Sequence, residues 1–96
     1  MLMKLCCHNP QLLNHDWAVE LVQRLGGKVD NNGYTALILL FQWKPEKTDF
    51  NSKGFKLLWE KEKDINVKFL KKYILRNPDL KNRVITSVPD AINYYK

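Results

Sequence analysis

The most reactive side chains of this chain are Cys6, Cys7 and His8, with His15 a few residues further on. Cysteine and histidine bind zinc, but a tetrahedral site uses ligand pairs separated by about two to four residues, so that both side chains face the ion. Adjacent cysteines point apart, and no second ligand pair follows downstream. A cysteine nucleophile would also need an orienting group and an oxyanion hole, which the local sequence does not supply. We therefore expect neither a metal nor another cofactor.

The acidic and basic residues elsewhere form no catalytic pattern. Glu60–Lys63 and Pro89-Asp90 contain the residue types of a metal-dependent nuclease, but in the inverse of the usual order. The sequence has no glycine-rich phosphate loop and no pair of carboxylates with a partner base. We expect no enzymatic activity.

Basic residues are concentrated in one third of the chain. Residues 53–83 carry ten Lys and Arg against four Asp and Glu, which accounts for the whole formal net charge of +6. Such a patch attracts phosphate groups or acidic proteins. Solvated outer faces of amphipathic helices have the same composition, so both interpretations stay open. If the patch binds nucleic acid, the predicted contacts are Lys61, Lys68, Lys71, Lys72, Arg76 and Arg83.

Length and composition indicate one small domain with a hydrophobic core. The chain has 96 residues, of which 45% are hydrophobic, and no apolar run is near the 18 residues that a membrane helix needs. Two adjacent cysteines supply no disulfide framework. Met1–His8 is too short and too weakly charged for a secretory signal, so we expect an intracellular protein, cytoplasmic or nuclear, without a membrane partner.

Hydrophobic spacing predicts helices in the first half of the chain. Met1–Cys7 fits a helix or a strand, and Asn9-Pro10 can start a short helical turn. A helix is predicted from Trp17 to Leu25, with Gly26-Gly27 as its stop.

The middle of the chain contains a tight turn and a buried segment. Asn31-Asn32-Gly33 predicts the turn, because these residues accept positive φ at low cost. Thr35 can cap a helix over 36–43, although the continuous apolar run also fits a buried strand. Lys44–Asn51 is polar, contains Pro45 and is predicted to be a loop.

Helical spacing returns in the second half. Ser52 can cap a helix over 53–63, in which Phe55, Leu58 and Trp59 form the apolar stripe and the lysines and glutamates lie outside. A second helix is predicted over 67–76, and short helices around Leu80–Ile85 and after Pro89 follow. Tyr94 and Tyr95 are expected to close the core.

Three segments resemble ankyrin repeats. Gly33-Tyr34-Thr35-Ala36-Leu37-Ile38 is similar to the family signature G-x-T-P-L-H, with Ala in place of Pro and Ile in place of His. Lys56–Asn66 resembles the outer helix and exit of a repeat, and Val19–Asp30 resembles the same element one repeat earlier. The exit residues Val29 and Ile65 are 36 residues apart, near the roughly 33-residue period of the family.

The resemblance implies an all-α fold, namely a short array of helical hairpins with an atypical C-terminal helical cap. Within a single domain, 1–96, residues 1–30 would form a first degenerate repeat, 31–66 a second, and 67–96 the cap. The loop between Gln42 and Lys53 is longer than the family allows, and the glycine that separates its two helices is absent. An array with fewer than three full repeats is marginally stable. The resemblance therefore implies a homo-oligomer or a longer parent chain.

For function, the resemblance implies a non-catalytic module that binds another protein. Turn tips and inner helices form the recognition side of a repeat protein. The predicted partner-binding residues are Asn32, Tyr34, Trp43, Lys44 and Lys47. Tryptophan is enriched at binding hot spots, and we expect Trp43 to be exposed and Trp17 and Trp59 to pack in the core. The alternative is a basic nucleic-acid-binding protein, and a viral or mobile-element inhibitor of a host enzyme is a third hypothesis.

Overall fold

The structure is a computed structural model that describes residues 1–65 and 67–93, and within these ranges it contains helices and no strand. The α-helices are α1 (Leu2–His8), α2 (Asp16–Leu25), α3 (Ala36–Trp43), α4 (Lys53–Glu62), α5 (Val67–Leu75) and α6 (Pro78–Ser87). Short 3-10 helices cover Pro10–Asn14, Pro45–Lys47 and Pro89–Asn93. The predicted all-α class is confirmed. The predicted roles of Asn66, Tyr94 and Tyr95 lie outside the described residues.

Side-chain caps fix where the central helices begin. The Thr35 hydroxyl accepts a hydrogen bond from the Ile38 amide at 3.3 Å, and the Ser52 hydroxyl accepts one from Phe55 at 3.2 Å. Asn77 caps α6 in the same way. Each such cap stabilises a helix by about 1 kcal/mol relative to alanine. The segment whose period also fits a strand is a helix, and the Ile38 amide of its first turn is satisfied by the Thr35 cap.

The turn before α3 has the backbone that its sequence predicts. The Asp30 carboxylate accepts hydrogen bonds from the amides of Asn32 at 2.8 Å and Tyr34 at 2.9 Å. Gly33 has φ of +83°, a conformation that other residues rarely adopt. The turn is therefore held locally and presents Asn32 to solvent.

The helices pair in chain order. Helix α3 lies between α1 and α5, while α2 packs against α4 and α6 packs against α5. The contacts of α1 with α2 and of α3 with α4 complete the first two pairs. The core therefore surrounds α3, in which Leu37, Ile38 and Leu40 are fully buried.

The segment predicted as a polar loop contributes to this core. Phe50 is buried and lies with its ring centre 4.8 Å from that of Phe55 and 6.0 Å from that of Phe41. Arg83 covers the outer face of the Phe50 ring, with its guanidinium carbon 4.7 Å from the ring centre. A single aromatic residue in a polar stretch has no period, so its burial follows from tertiary packing alone.

One glycine allows α4 to lie against the turn that precedes α2. A Cβ atom on Gly54 would collide with the backbone carbonyl of Leu13, and Gly54 is buried. Because a backbone atom cannot rotate away, the two segments would have to separate to admit a methyl group.

We expect Gly54→Ala to destabilise the fold by about 1 to 3 kcal/mol, because the overpacking penalty exceeds the roughly 1 kcal/mol that alanine gains in helix propensity. Urea unfolding followed by far-UV circular dichroism measures this change. The control is Lys53→Ala, which alters the neighbouring exposed position of the same helix. A Gly54→Ala variant as stable as the control would contradict this close packing of α4 against the Leu13 backbone.

Candidate functional site

A buried carboxylate links three elements of the fold. The Glu62 side chain is 0% exposed at the end of α4. One oxygen accepts a hydrogen bond from the Gly27 amide at 2.9 Å, and the other accepts one from the Leu37 amide at 2.8 Å. The Thr35 hydroxyl also hydrogen-bonds to this carboxylate. Glu62 therefore joins the turn after α2 to the first turn of α3.

The environment of Glu62 acts on its protonation in two directions. Burial raises the pKa of Glu62, and the hydrogen bonds from Gly27, Leu37 and Thr35 oppose that rise without cancelling it. Leu37 lies in the first turn of α3, where amide donors have no partner within the helix and the helix dipole favours a carboxylate. The carboxyl is thus a satisfied structural group rather than a free acid.

The helical spacing of 53–63 predicted that the glutamates of this helix lie on its outer side, and for Glu62 that prediction was wrong. A signal was present, because Glu62 follows Phe55, Leu58 and Trp59 at the spacings that define one helix face. Burial of a carboxylate there requires donors from other elements, and one helix alone does not reveal them.

Burial also raises the pKa of the Cys6 thiol, which lies near Glu62. It raises the pKa of Cys6 far above its ordinary value, and the nearby Glu62 and Cys7 raise it further. The Cys6 thiol therefore stays protonated, and a protonated thiol is a poor nucleophile. Cys6 packs as a small apolar side chain.

We expect Glu62→Gln to destabilise the protein by about 1 to 3 kcal/mol at about pH 4. Both oxygens of the protonated carboxyl can still accept a hydrogen bond, whereas the amide nitrogen of glutamine cannot, so one of the two buried backbone amides would lose its acceptor. The pKa of Glu62 is raised in the folded state, so the folded state holds the proton more tightly. Its contribution to stability is fully present below the unfolded pKa near 4.5 and is lost as pH rises through the folded pKa.

The difference in unfolding free energy between wild type and Glu62→Gln should therefore shrink as pH rises from about 4 to about 8. Urea unfolding at a series of pH values measures it. Glu60→Gln, an exposed change on the same helix, is the control. A difference that is constant with pH or grows with it would refute the role of Glu62.

The predicted partner-binding residues fall into two groups. Asn32 is exposed at the turn tip, and Tyr34 is half-buried with its ring centre 5.8 Å from that of Phe69. Trp43 is 56% exposed at the other end of α3, about 12 Å along the helix. Half-buried Lys44 and exposed Lys47 follow Trp43 in the sequence. The structure thus brings the last three together and leaves the turn at the opposite end of α3.

The three tryptophans differ in exposure. Trp59 is fully buried and Trp43 is exposed, as expected, but the prediction that Trp17 packs in the core was wrong, because Trp17 is 53% exposed. Helix α2 turns Ala18 and Val22 inward, and Trp17 lies to one side of that face. The buried stripe of α2 is formed by the smaller residues Ala18 and Val22, and not by Trp17.

The six basic residues predicted to bind nucleic acid fall into two groups, three lysines on α5 and three residues with other contacts. Lys68, Lys71 and Lys72 are exposed and share one face of α5 at i, i+3 and i+4, whereas Leu70 and Ile74 of the same helix are buried. Within residues 1–65 and 67–93, the ion pairs join Lys63 to Glu60 and to Asp90, and none of the three α5 lysines takes part in one.

The other three predicted residues, Lys61, Arg76 and Arg83, contact neighbouring side chains or backbone. Arg83 donates a hydrogen bond to the Thr48 carbonyl at 3.1 Å in addition to covering Phe50. Arg76 lies 5.6 Å from the centre of the Tyr73 ring. Lys61 packs its alkyl chain beside Gly26, so its charge lies on α4 rather than on the α5 face.

Open pockets on the described surface include one of about 190 Å³ that is lined by Met1, Leu2, Met3, Leu25, Lys28, Ala36 and Glu62. A polar pocket of about 270 Å³ lies between Asp49–Asn51 and α6. A pocket of about 280 Å³ lies between α1 and α2 and is lined by Met1, Lys4, Leu5, His8, Asn9, Trp17 and Leu21.

The described part of the chain has no cluster of three or more His, Cys, Asp or Glu that could hold a metal ion. None of its helices is long and apolar enough to cross a membrane.

Comparisons with protein-family models, with curated proteins and with solved structures find no match for this chain.

Proposed function

We propose that this chain is a non-catalytic module that binds another protein, with Trp43 as the central contact. The exposure of Trp43 at the end of a buried helix is the observation that supports this most directly. Tryptophan contributes more binding energy than most residues when a partner covers it. The indole also loses little conformational entropy on binding, because it has few rotatable bonds.

The surroundings of Trp43 suit a binding surface. Helix α3 is held between α1 and α5 and is tied to α4 through Glu62, so its last turn has a rigid base. Lys44 and Lys47 place positive charge beside the indole. A partner segment with an apolar residue flanked by carboxylates fits this chemistry.

The pairing of helices in chain order supports an ankyrin-like organisation. Helices α1, α3 and α5 would be the inner helices, and α2 and α4 the outer ones, with the turn at Asn32 projecting beside the inner layer. Asn32 and Tyr34 would then contact a partner long enough to follow α3. In this proposal the module acts in the cytoplasm or nucleus.

We expect Trp43→Ala to weaken binding of a selected peptide about thirtyfold, which corresponds to about 2 kcal/mol. The peptide is obtained by selecting a random displayed library against the intact chain, and its affinity is measured by fluorescence anisotropy. Trp17→Ala, which removes an equally exposed indole from another helix, is the control. Equal affinities for wild type and Trp43→Ala would refute the proposal.

Nucleic-acid binding is a second candidate, favoured by three lysines on one face of α5 that form no ion pair with any residue of 1–65 or 67–93. Charge reversal of Lys68, Lys71 and Lys72 should then abolish binding to a labelled single strand of about 20 nucleotides. For the wild type, affinity should fall steeply between two salt concentrations, since counterions are released from phosphates. Reversal of Lys28, Lys53 and Lys56 changes the net charge equally. If both triple variants bind alike, the α5 face is not the contact surface.

A further inference from the structure

The outer face of α5 combines positive charge with exposed apolar surface. Lys68, Lys71 and Lys72 are exposed along it, and Arg76 is exposed directly after the helix. Leu75 is 42% exposed and follows Lys71 and Lys72 at spacings of four and three residues, which place it beside them on the helix surface. The apolar side chain therefore lies among the lysines rather than apart from them.

Acidic side chains do not offset this charge. Residues 65–78 include no Asp or Glu, and Asp64 and Asp79 flank the segment in the sequence. Of the helices that pack against α5, α3 contains no charged residue and α6 contains Asp79 as its one acid. Among the described residues, the α5 lysines take part in no ion pair. Charge complementarity therefore favours an anionic partner.

The aromatic rings of α5 are poorly placed to stack on bases, although single-stranded nucleic acids gain much of their affinity in this way. The half-buried Tyr73 ring has the Arg76 guanidinium carbon 5.6 Å from its centre. Phe69 is 39% exposed, and its ring centre lies 5.8 Å from that of Tyr34. Leu75 has no ring. The exposed apolar atoms of this face therefore suit a hydrocarbon layer better than a nucleic acid.

The surface of an anionic bilayer supplies contacts for both kinds of side chain. Basic residues are attracted to the negatively charged headgroups, and apolar side chains enter the boundary between headgroups and acyl chains. The long lysine side chains can reach the headgroups while an apolar neighbour enters that boundary. The expectation of no membrane partner rested on the lack of a spanning segment and of a signal, and a contact at the surface needs neither.

From this arrangement we infer that the outer face of α5 binds the surface of an anionic lipid bilayer. The three lysines would contact the headgroups, and Leu75 would enter the layer between them. Leu70 and Ile74 hold the opposite side of α5 in the core, so the contact requires no unfolding. The contact uses none of the residues of the Trp43 surface.

Co-sedimentation of the intact chain with vesicles tests the inference. At about 0.1 M salt, vesicles of phosphatidylcholine with about 30% phosphatidylserine should bind the chain at least about tenfold more tightly than vesicles of phosphatidylcholine alone. Binding should weaken at about 0.5 M salt, because the salt screens the attraction between lysines and headgroups.

Charge reversal tests the location of the contact. Reversal of Lys68, Lys71 and Lys72 to Glu should weaken binding to the phosphatidylserine vesicles at least about 100-fold. The matched control reverses three exposed lysines on other elements, Lys28, Lys53 and Lys56. It changes the net charge equally and should weaken binding by no more than about threefold, since distant charges are screened. Far-UV circular dichroism of each variant verifies folding.

A second substitution separates lipid from nucleic acid. Leu75→Ser should weaken vesicle binding about tenfold, because the apolar contribution is lost. It should leave affinity for a labelled single strand unchanged, since contacts with phosphates do not involve this side chain. The control is Val29→Ser, which alters a residue that is 47% exposed in the turn after α2 and should bind vesicles like the wild type.

Several results would overturn the inference. They are a wild type that does not bind the phosphatidylserine vesicles, two triple variants that bind alike, and a Leu75→Ser variant that binds vesicles as tightly as Val29→Ser. A chain that binds the labelled strand but no vesicle would assign the α5 face to nucleic acid. Loss of vesicle binding in Trp43→Ala but not in Leu75→Ser would place the contact at Trp43.

The outcome is distinguishable from that of the proposed function. A chain that binds its selected peptide through Trp43 but no vesicle would refute the lipid contact alone. A chain that binds vesicles through α5 but no peptide would refute only the proposed function.

Discussion

The Glu62 carboxylate is the interaction on which the rest of this fold depends. It lies where the end of α4, the turn after α2 and the start of α3 converge. Each of its oxygens accepts a hydrogen bond from a backbone amide of a different segment. A buried carboxylate is costly unless donors surround it, so these three segments have to keep their positions for the group to be tolerated. These hydrogen bonds join residues that are 25 and 35 positions apart in the sequence. Helix propensity acts only between near neighbours, so it does not fix how the short helices are arranged.

The fixed position of α3 explains how such a short chain can present defined surfaces. Helix α3 is buried along most of its length and has Thr35 and Glu62 at one end, so the other end projects from a rigid base. The exposed indoles Trp17 and Trp43 lie on different helices, and each is surrounded by its own set of charges. The two indoles are therefore separate features of the surface of this small domain.

Local signals in the sequence predicted most of the fold. Thr35 and Ser52 cap helices as expected, and Gly33 adopts the positive φ that its turn requires. The errors share one physical origin. Burial of Glu62 and Phe50 and exposure of Trp17 depend on which faces other elements cover, and no single helix or loop contains that information. For the candidate surfaces, exposure of Trp43 was predicted from its place at a helix end, whereas the structural use of Arg83 required knowledge of its contact with Phe50.

Cys6 is buried on α1, the helix that packs against α3, and this has a practical consequence. Its neighbour Cys7 is half-buried, so the two thiols differ in access. A reagent such as an alkylating agent reaches Cys7 through small fluctuations but reaches Cys6 only when α1 moves off α3. The alkylation rate of the slower thiol in a native sample thus reports the free energy of that opening. Cys6 is therefore a natural probe of local unfolding in this chain.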